Sequence, residues 1–500
     1  MLKFFLFFVF FLYCTSSFRK EKLEDPFIIE KIHWYDYYSI IKVSKKNLRE
    51  WESFFSKHSF PIQVVKEEDY FLYYKIPAEN QNQIKNFSYI QVLKEFPFEY
   101  MDKEIDLRKK SKDIDLLKEG YKDYQAIMMV IDYLLKKYPN YLRKIPLGKT
   151  YQNRELFALQ LTNHNINSQF KIPLYFNSLH HGNEILTVEY IFDMIFLLLG
   201  EPYIKLPNLN YEKILKEISE KERQHFLDQL DIFIIPIVNP DGLETFWYTS
   251  IHKGRKNARN VDLNRNYPFY WNSLKTSFIA SDINSPTYQG NTFGSEIEVS
   301  TIIEFLKKKP CSYSISYHTF ANKVLFPYSI DPVWNPIPDR AFFFGTQIIK
   351  NAISFRKQNY ILAKKLYPVT GTDQDWIYNQ IGCIAFLVEG SMNHPPFPIA
   401  KYSIVGIRNI WYNLLNTALY SPRLELSFFD KNQNPIQPNI KILNVFYFEE
   451  ENISNFYENR WIFYLGPMKK ISLEIQYKDF TKKMVLNCLN ICKEKIYLTK

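Results

Sequence analysis

The stretch Tyr175-Phe-Asn-Ser-Leu-His-His-Gly-Asn-Glu184 decides how the rest of the chain is read: an apolar run stops abruptly at two histidines, a glycine and a carboxylate. His181 and Glu184 stand three apart, the spacing at which an imidazole and a carboxylate reach one zinc ion that keeps a position open for water. Such a centre needs a third protein ligand and a base from elsewhere in the chain. Taken alone, the pair also fits an exposed first helical turn, where an acidic side chain meets the positive end of the helix dipole.

Outward from that stretch, apolar strand-like runs recur at Ile172 to Phe176, Ile232 to Val238, Ser312 to Tyr317 and Ile384 to Val388. Between them lie helical stretches at Ile185 to Leu199, Ser295 to Leu306 and Arg340 to Ala352, and the helix of Ile404 to Leu419 is stopped by Ser421-Pro422. Continuous apolar strands separated by helices predict a sheet buried on both faces, hence an α/β domain. That domain opens on an amphipathic helix, Tyr124 to Lys137, in which Ile127, Val130, Ile131, Leu134 and Leu135 follow helical spacing. The run Ile185 to Leu199 is interrupted by Glu189 and Asp193, so it reads as a buried helix closed by Gly200, not a membrane span.

The two ends have different patterns. Tyr38 to Phe96 reads strand, helix, strand, strand, helix, strand, a βαββαβ order that predicts a small α+β open sandwich. After Pro422 come short alternating segments, from Leu424 to Phe428 through Lys483 to Leu486, separated by turn residues, which predict a small β-sandwich. At 500 residues the chain exceeds one ordinary core. It divides into an export signal at 1–17, the α+β domain at 27–99, a charged linker at 100–119, the α/β domain at 120–422 and the sandwich at 423–500. The net charge of +10 is scattered among acids and forms no long basic block, which argues against a nucleic-acid partner.

Met1 to Tyr13 places one lysine before an apolar run too short to span a bilayer, and Cys14-Thr-Ser-Ser17 follows. The pattern predicts export, to the periplasm, the cell surface or the medium, with Cys14 as a candidate for lipid attachment. Four further cysteines, Cys311, Cys383, Cys488 and Cys492, are enough for two disulfides, whose pairing the spacing leaves open.

Further chemistry-bearing residues sit at the ends of the predicted strands, where α/β sheets place their sites. Ser316-Tyr-His318 puts a histidine after a buried strand, and Ala385-Phe-Leu-Val-Glu389 ends one in a carboxylate. Arg255-Lys-Asn-Ala-Arg259 and Val261-Asp-Leu-Asn-Arg-Asn266 supply guanidinium groups, which grip carboxylates through paired hydrogen bonds, and a neighbouring amide. Tyr367-Pro-Val-Thr-Gly-Thr-Asp-Gln-Asp375 is a glycine-containing loop, and Asn239-Pro-Asp-Gly242 reads as a turn.

Together these stretches resemble the zinc metallocarboxypeptidases, the family of carboxypeptidases A and B and of the regulatory carboxypeptidases N and E, over about Tyr121 to Leu419. The resemblance begins at Tyr121 to Leu161 with Gly148-Lys-Thr-Tyr-Gln-Asn-Arg154. It implies that His181, Glu184 and His318 hold one zinc ion, that Arg255 polarises the scissile carbonyl, and that Glu389 is the general base. It likewise implies that Asn264 and Arg265 grip the terminal carboxylate, that Tyr367 closes over the substrate, and that Gln374 sets side-chain preference. Asn183 in His-Gly-Asn-Glu, the run Asn264-Arg-Asn-Tyr-Pro268 and Gln374 follow the spelling of the regulatory branch. That branch takes an acidic partner for a basic side chain at the position of Ser329, so Asp373 is the nearby acid left to serve one. By the same resemblance, 38–96 is similar to the family's inhibitory activation segment and 423–500 to a transthyretin-like sandwich. The implied partners are peptide or protein C-termini, met by a monomer. The alternatives are a carboxypeptidase for peptidoglycan stem peptides and a surface binding protein without turnover; the intact ligands and Glu389 weigh against the second.

Overall fold

The computed structural model describes residues 38–498 apart from 58–62, 68, 78–80, 85, 94–113, 205–217, 249–252, 272, 274–280, 331–332, 355–357, 391–396 and 448–450. The predicted export signal at 1–17, Cys14 and residues 100–113 of the charged linker lie outside the described residues. The chain forms two compact units, Met1–Leu107 and Arg108–Lys500.

In the first unit, β-branched and aromatic residues build β1 (Tyr38–Ser44), β2 (Gln63–Glu67), β3 (Phe71–Pro77) and β4 (Ile90–Leu93), with helices Leu48–Lys57 and Gln81–Ile84 between them. The element order is the one expected from residues 38–96. All pairings are antiparallel in the order β2-β3-β1-β4. Trp51 enters the core formed by Ile41, Val43, Tyr74, Ile76 and Ile84, with its ring 5.5 Å from that of Tyr74.

The second unit contains a mixed eight-stranded sheet in the order β11-β10-β12-β9-β7-β8-β6-β5. Its strands are β5 (Leu142–Lys149), β6 (Glu155–Leu161), β7 (Ile172–Ser178), β8 (Leu230–Ile235), β9 (Tyr313–Thr319), β10 (Lys323–Leu325), β11 (Ile361–Ala363) and β12 (Ile384–Gly390). The central four, β12, β9, β7 and β8, run parallel, while β10 and β6 join them antiparallel. Strands β7, β8 and β9 are buried along their full length, which is why they read as continuous apolar runs. The helix Thr187–Leu198 is buried nearly all round, and each of its charges has a partner: Glu189 pairs with Lys122 at 2.9 Å and Asp193 with Arg408 at 2.8 Å. Among the described residues no helix is long and apolar enough to cross a membrane.

Two differences from the sequence reading follow from capping and charge. Asn239-Pro-Asp-Gly242 opens a helix, Pro240–Tyr248: Asn239 Oδ1 accepts from Gly242 N at 2.8 Å, and proline at the first helical position loses no hydrogen bond. The stretch read as linker ends in a helical turn, Ile114–Leu117, in which Leu117 is buried.

After the long helix Phe397–Tyr420 the chain forms β13 (Arg423–Phe429), β14 (Pro435–Ile436), β15 (Asn439–Ile442), β16 (Phe456–Tyr457), β17 (Arg460–Tyr464), β18 (Lys470–Tyr477), β19 (Phe480–Asn487) and β20 (Ile491–Tyr497). They make one sheet of five strands and one of three, which share a core of Leu424, Leu426, Trp461, Phe463, Ile471 and Leu473 among others. Strand β20, rich in lysine and glutamate, carries no apolar alternation; it is recruited by parallel pairing along the whole of β13. This sandwich is tied to the α/β sheet by polar groups. Tyr457 donates to Asp231, Arg460 to the carbonyl of Lys171, and the Arg340 guanidinium lies 4.0 Å from the Phe463 ring centroid.

The cysteines pair as Cys311–Cys383 and Cys488–Cys492. The first links the chain just before β9 to the chain just before β12, the strands that carry His318 and Glu389 at their other ends.

Candidate active site

The site lies at the carboxyl ends of the parallel strands, where the helices and loops diverge. His181 and Glu184 follow β7, His318 is on β9, and Glu389 is on β12 directly opposite His318 in the parallel register. Gly182 is required for this turn, because a Cβ there would stand 2.1 Å from the amide nitrogen of Leu243. Asn239 supports it from below, donating to the carbonyls of His180 at 3.2 Å and Arg255 at 3.3 Å.

The ligating atoms of His181, Glu184 and His318 all lie within 4.8 Å of one another. His181 Nδ1 is 2.6 Å from Glu184 Oε1, and His318 Nδ1 is 3.1 Å from Glu184 Oε2. Burial pushes the Glu184 carboxyl up, but the two imidazoles outweigh it and hold the group below the usual carboxylate range. The same carboxylate raises the His318 pKa against the opposing effect of burial. On its far side, His181 Nε2 meets Asp262 Oδ1 at 3.0 Å. A carboxylate on the outer nitrogen fixes the ring and leaves Nδ1 facing the cluster, as a histidine ligand requires. Two inward Nδ1 atoms and one carboxylate, with an oriented histidine, fit zinc with a coordination position left for substrate or water.

Asp262 was not among the residues singled out as functional. Its second oxygen accepts from Arg255 Nε at 3.1 Å and Nη2 at 2.6 Å, so one buried carboxylate orients both a ligand and the arginine. Burial opposes its ionisation, but Arg255, His181 and Arg265 hold it well below the usual range. It stands inside the quoted run Val261 to Asn266, yet 81 residues separate it from His181, and nothing local announces the pairing. The adjacent histidine has a different fate. His180 is fully buried, its Nε2 lies 2.9 Å from the Tyr267 hydroxyl, its ring stacks on His318, and burial lowers its pKa to about 4.

A family model described as zinc carboxypeptidase matches residues 127–406, more than half of the 500 residues. The chain belongs to the zinc carboxypeptidase family. Curated relatives include mast cell carboxypeptidase A of Homo sapiens, 23% identical over 272 residues covering 52% of this chain and 60% of the relative. Carboxypeptidase A1 of Bos taurus is 24% identical over 324 residues, 59% of this chain and 70% of the relative. The chain thus spans less than two thirds of the human mast cell enzyme. The fold is similar to that of the crystal structure of thrombin activatable fibrinolysis inhibitor, with a TM-score of 0.52 and 18% identity over 76% of this chain and 99% of that one.

The remaining residues singled out in this carboxypeptidase domain gather beside the cluster. Arg255 is half-buried, with Nη1 3.3 Å from His181 Nδ1 and 3.9 Å from Glu184 Oε1. Burial raises the Glu389 carboxyl, His318 opposes this and Glu184 adds to it, and the group is pushed up to about 7. Arg265 is buried, and its Nη2 donates to the Tyr367 hydroxyl at 3.2 Å. Asn264 bridges two parts of the site: Oδ1 accepts from Asp373 N at 2.9 Å, and Nδ2 stands 3.4 Å from His318 Nε2. Asn183 is half-buried, and its Oδ1 has no hydrogen-bond partner.

Gln374 is buried and donates through Nε2 to Ser329 Oγ at 2.9 Å, and its Oε1 has no hydrogen-bond partner among the described residues. Asp375 accepts from Ser329 N at 3.1 and 3.0 Å, and burial raises its pKa to about 7. Asp373 is already engaged: it accepts from Asn177 Nδ2 at 3.2 Å and from Gln374 N at 2.7 Å. Its carboxylate thus ties β7 to the Gln374 amide.

Proposed function

We propose that the protein is an exported zinc-dependent metallocarboxypeptidase that hydrolyses the last peptide bond of peptides or proteins. The reading rests on family membership and on one arrangement: a His181, Glu184, His318 cluster with Glu389 in register beside His318. A zinc ion held by these three side chains supplies Lewis acidity and lowers the pKa of water.

The protein groups account for the rest of the reaction. Glu389 accepts a proton from the attacking water and returns it to the leaving amine, a role suited to a carboxyl whose surroundings raise its pKa toward neutrality. Arg255, fixed by Asp262, donates to the oxygen that gains negative charge. Arg265, Asn264 and Tyr367 hold the terminal carboxylate. Because that grip is at a fixed distance from the cluster, only the final residue is released. Gln374 and Ser329 form the wall that meets its side chain, with the regulatory-branch spelling of the motifs pointing the same way.

Residues 1–17 serve as the export signal in this reading, and removal of the 27–99 domain by cleavage in the charged stretch 100–119 raises activity. The test is a panel of peptides differing only in the last residue, given to zinc-loaded, cleaved wild type and to Glu389→Gln. Release of single terminal residues by wild type, reduced about a hundredfold or more in the variant, is expected. Absence of release from every peptide overturns the reading.

A further inference from the structure

The wall that meets the terminal side chain is not built by the α/β domain alone. Ser329 contacts Gln374 through Oγ at 2.9 Å, Asp375 through its amide, and Val369 N through its carbonyl at 3.3 Å, two residues beyond Tyr367. Its neighbour Tyr328 is buried, with its ring stacked on Phe269 at 5.2 Å and edge-on to Tyr378 at 5.4 Å. The Tyr328 hydroxyl accepts from Asn379 Nδ2 at 3.1 Å and donates to Glu451 Oε1 at 2.9 Å.

Glu451 lies beyond the α/β domain, in the segment of the C-terminal sandwich that leads into β16. It is 7% exposed, and its Oε2 has no hydrogen-bond partner among the described residues. A carboxyl in such surroundings is costly to bury, and the bond to Tyr328 offsets part of that cost. The residues after it run along the helical turn Ile377–Ile381 that follows Gln374: Asn452 N donates to Asn379 O at 2.8 Å, and Asn455 Nδ2 to Ile381 O at 2.7 Å. Gly382 accommodates this approach, since a Cβ there would be 2.9 Å from Asn452 O.

We propose that Glu451 is a positioning residue for selection of the terminal residue: from the C-terminal sandwich it fixes Tyr328, and through Tyr328 it sets Ser329 against Gln374 and the Tyr367 loop. The proposal rests on the carboxypeptidase reading for the identity of the pocket. Its test is made separable from catalysis by measuring binding.

Dissociation constants for peptides differing only in the last residue are measured by calorimetry on the zinc-loaded, cleaved protein carrying Glu389→Gln. Adding Glu451→Ala is expected to narrow the spread between best and worst terminal residues by up to about tenfold, the scale of one hydrogen bond. Glu451→Gln, whose amide oxygen still accepts from Tyr328, restores most of the spread. Tyr328→Phe removes only the hydroxyl and reproduces the alanine effect, which keeps the question decidable if Glu451→Ala fails to fold. With Glu389 intact, KM rises for the preferred peptide while kcat stays within about twofold. An unchanged ranking in Tyr328→Phe, or an equal loss for every terminal residue, overturns the proposal. A wild type that releases nothing, together with a ranking that responds to Tyr328→Phe, overturns the catalytic reading and supports this one.

Discussion

The metal end of the cleft and the side-chain end are built on different terms. At the metal end His181, Glu184, His318 and Glu389 stand on or just after adjacent parallel strands, and Asp262 links His181 to Arg255. Every ligand is braced by a second polar contact. At the end proposed to meet the side chain, separate segments meet, Tyr328–Ser329, Gln374–Asp375 and Glu451, and two buried oxygens, Gln374 Oε1 and Glu451 Oε2, have no hydrogen-bond partner among the described residues. One sheet carries most of the first end, whereas the members of the second come from loops and from the C-terminal sandwich. In the proposed reading the first holds one ion and the second meets a side chain that varies.

The comparison can be broken most severely at Gly182. A Cβ at 2.1 Å from backbone cannot be relieved by a rotamer change, so Gly182→Ala is expected to cost about 3 kcal/mol or more in denaturant unfolding and to lose zinc. A stable, zinc-loaded variant would mean that the turn is less constrained than the packing against Leu243 indicates. Next in size is Asp262→Asn, which retains shape but weakens the hold on His181 and Arg255. Zinc affinity, measured by competition with a chelator, should fall about 10- to 100-fold, and unchanged affinity would remove Asp262 from the supporting role assigned to it. At the other end, Ser329→Ala should leave zinc affinity unaltered and shift the ranking of terminal residues only a few-fold, about the value of one neutral hydrogen bond. A loss of zinc in that variant would show that the two ends are not independent.

A pH dependence of stability is expected at Asp375. Burial raises this carboxyl from 3.8 to about 7. Below pH 4 both folded and unfolded chains are protonated there; as pH rises to 7 the unfolded chain loses its proton first, so this group's contribution to stability declines over that window. Asp375→Asn removes the titration. The melting temperature of the variant relative to wild type should therefore rise between pH 4 and 7, and a constant difference would place the Asp375 carboxyl outside the buried pocket wall.

The same contrast governs what could be read in advance. Strands β7, β8, β9 and β12 were legible because burial on both faces forces continuous apolar runs, whereas β20 was not, since Lys493, Glu494 and Lys495 are exposed and its pairing with β13 makes it a strand. The helix at Pro240 was legible in principle from an asparagine cap followed by proline, a signal that turn composition masks. Asp373 looked available for a basic substrate and is instead held by Asn177 and the Gln374 amide.

Sequence by itself determined the chemical types and their order along the chain: the His-x-x-Glu pair, the later histidine, the arginines and the terminal glutamate, each fixed by local pattern at a strand end. Only the tertiary structure decided that Asp262 meets His181 from 81 residues away, and that the C-terminal sandwich reaches Tyr328 through Glu451. The physical reason is range. Periodicity and capping act over a few residues, whereas the pairing of buried polar groups depends on which segments folding brings together.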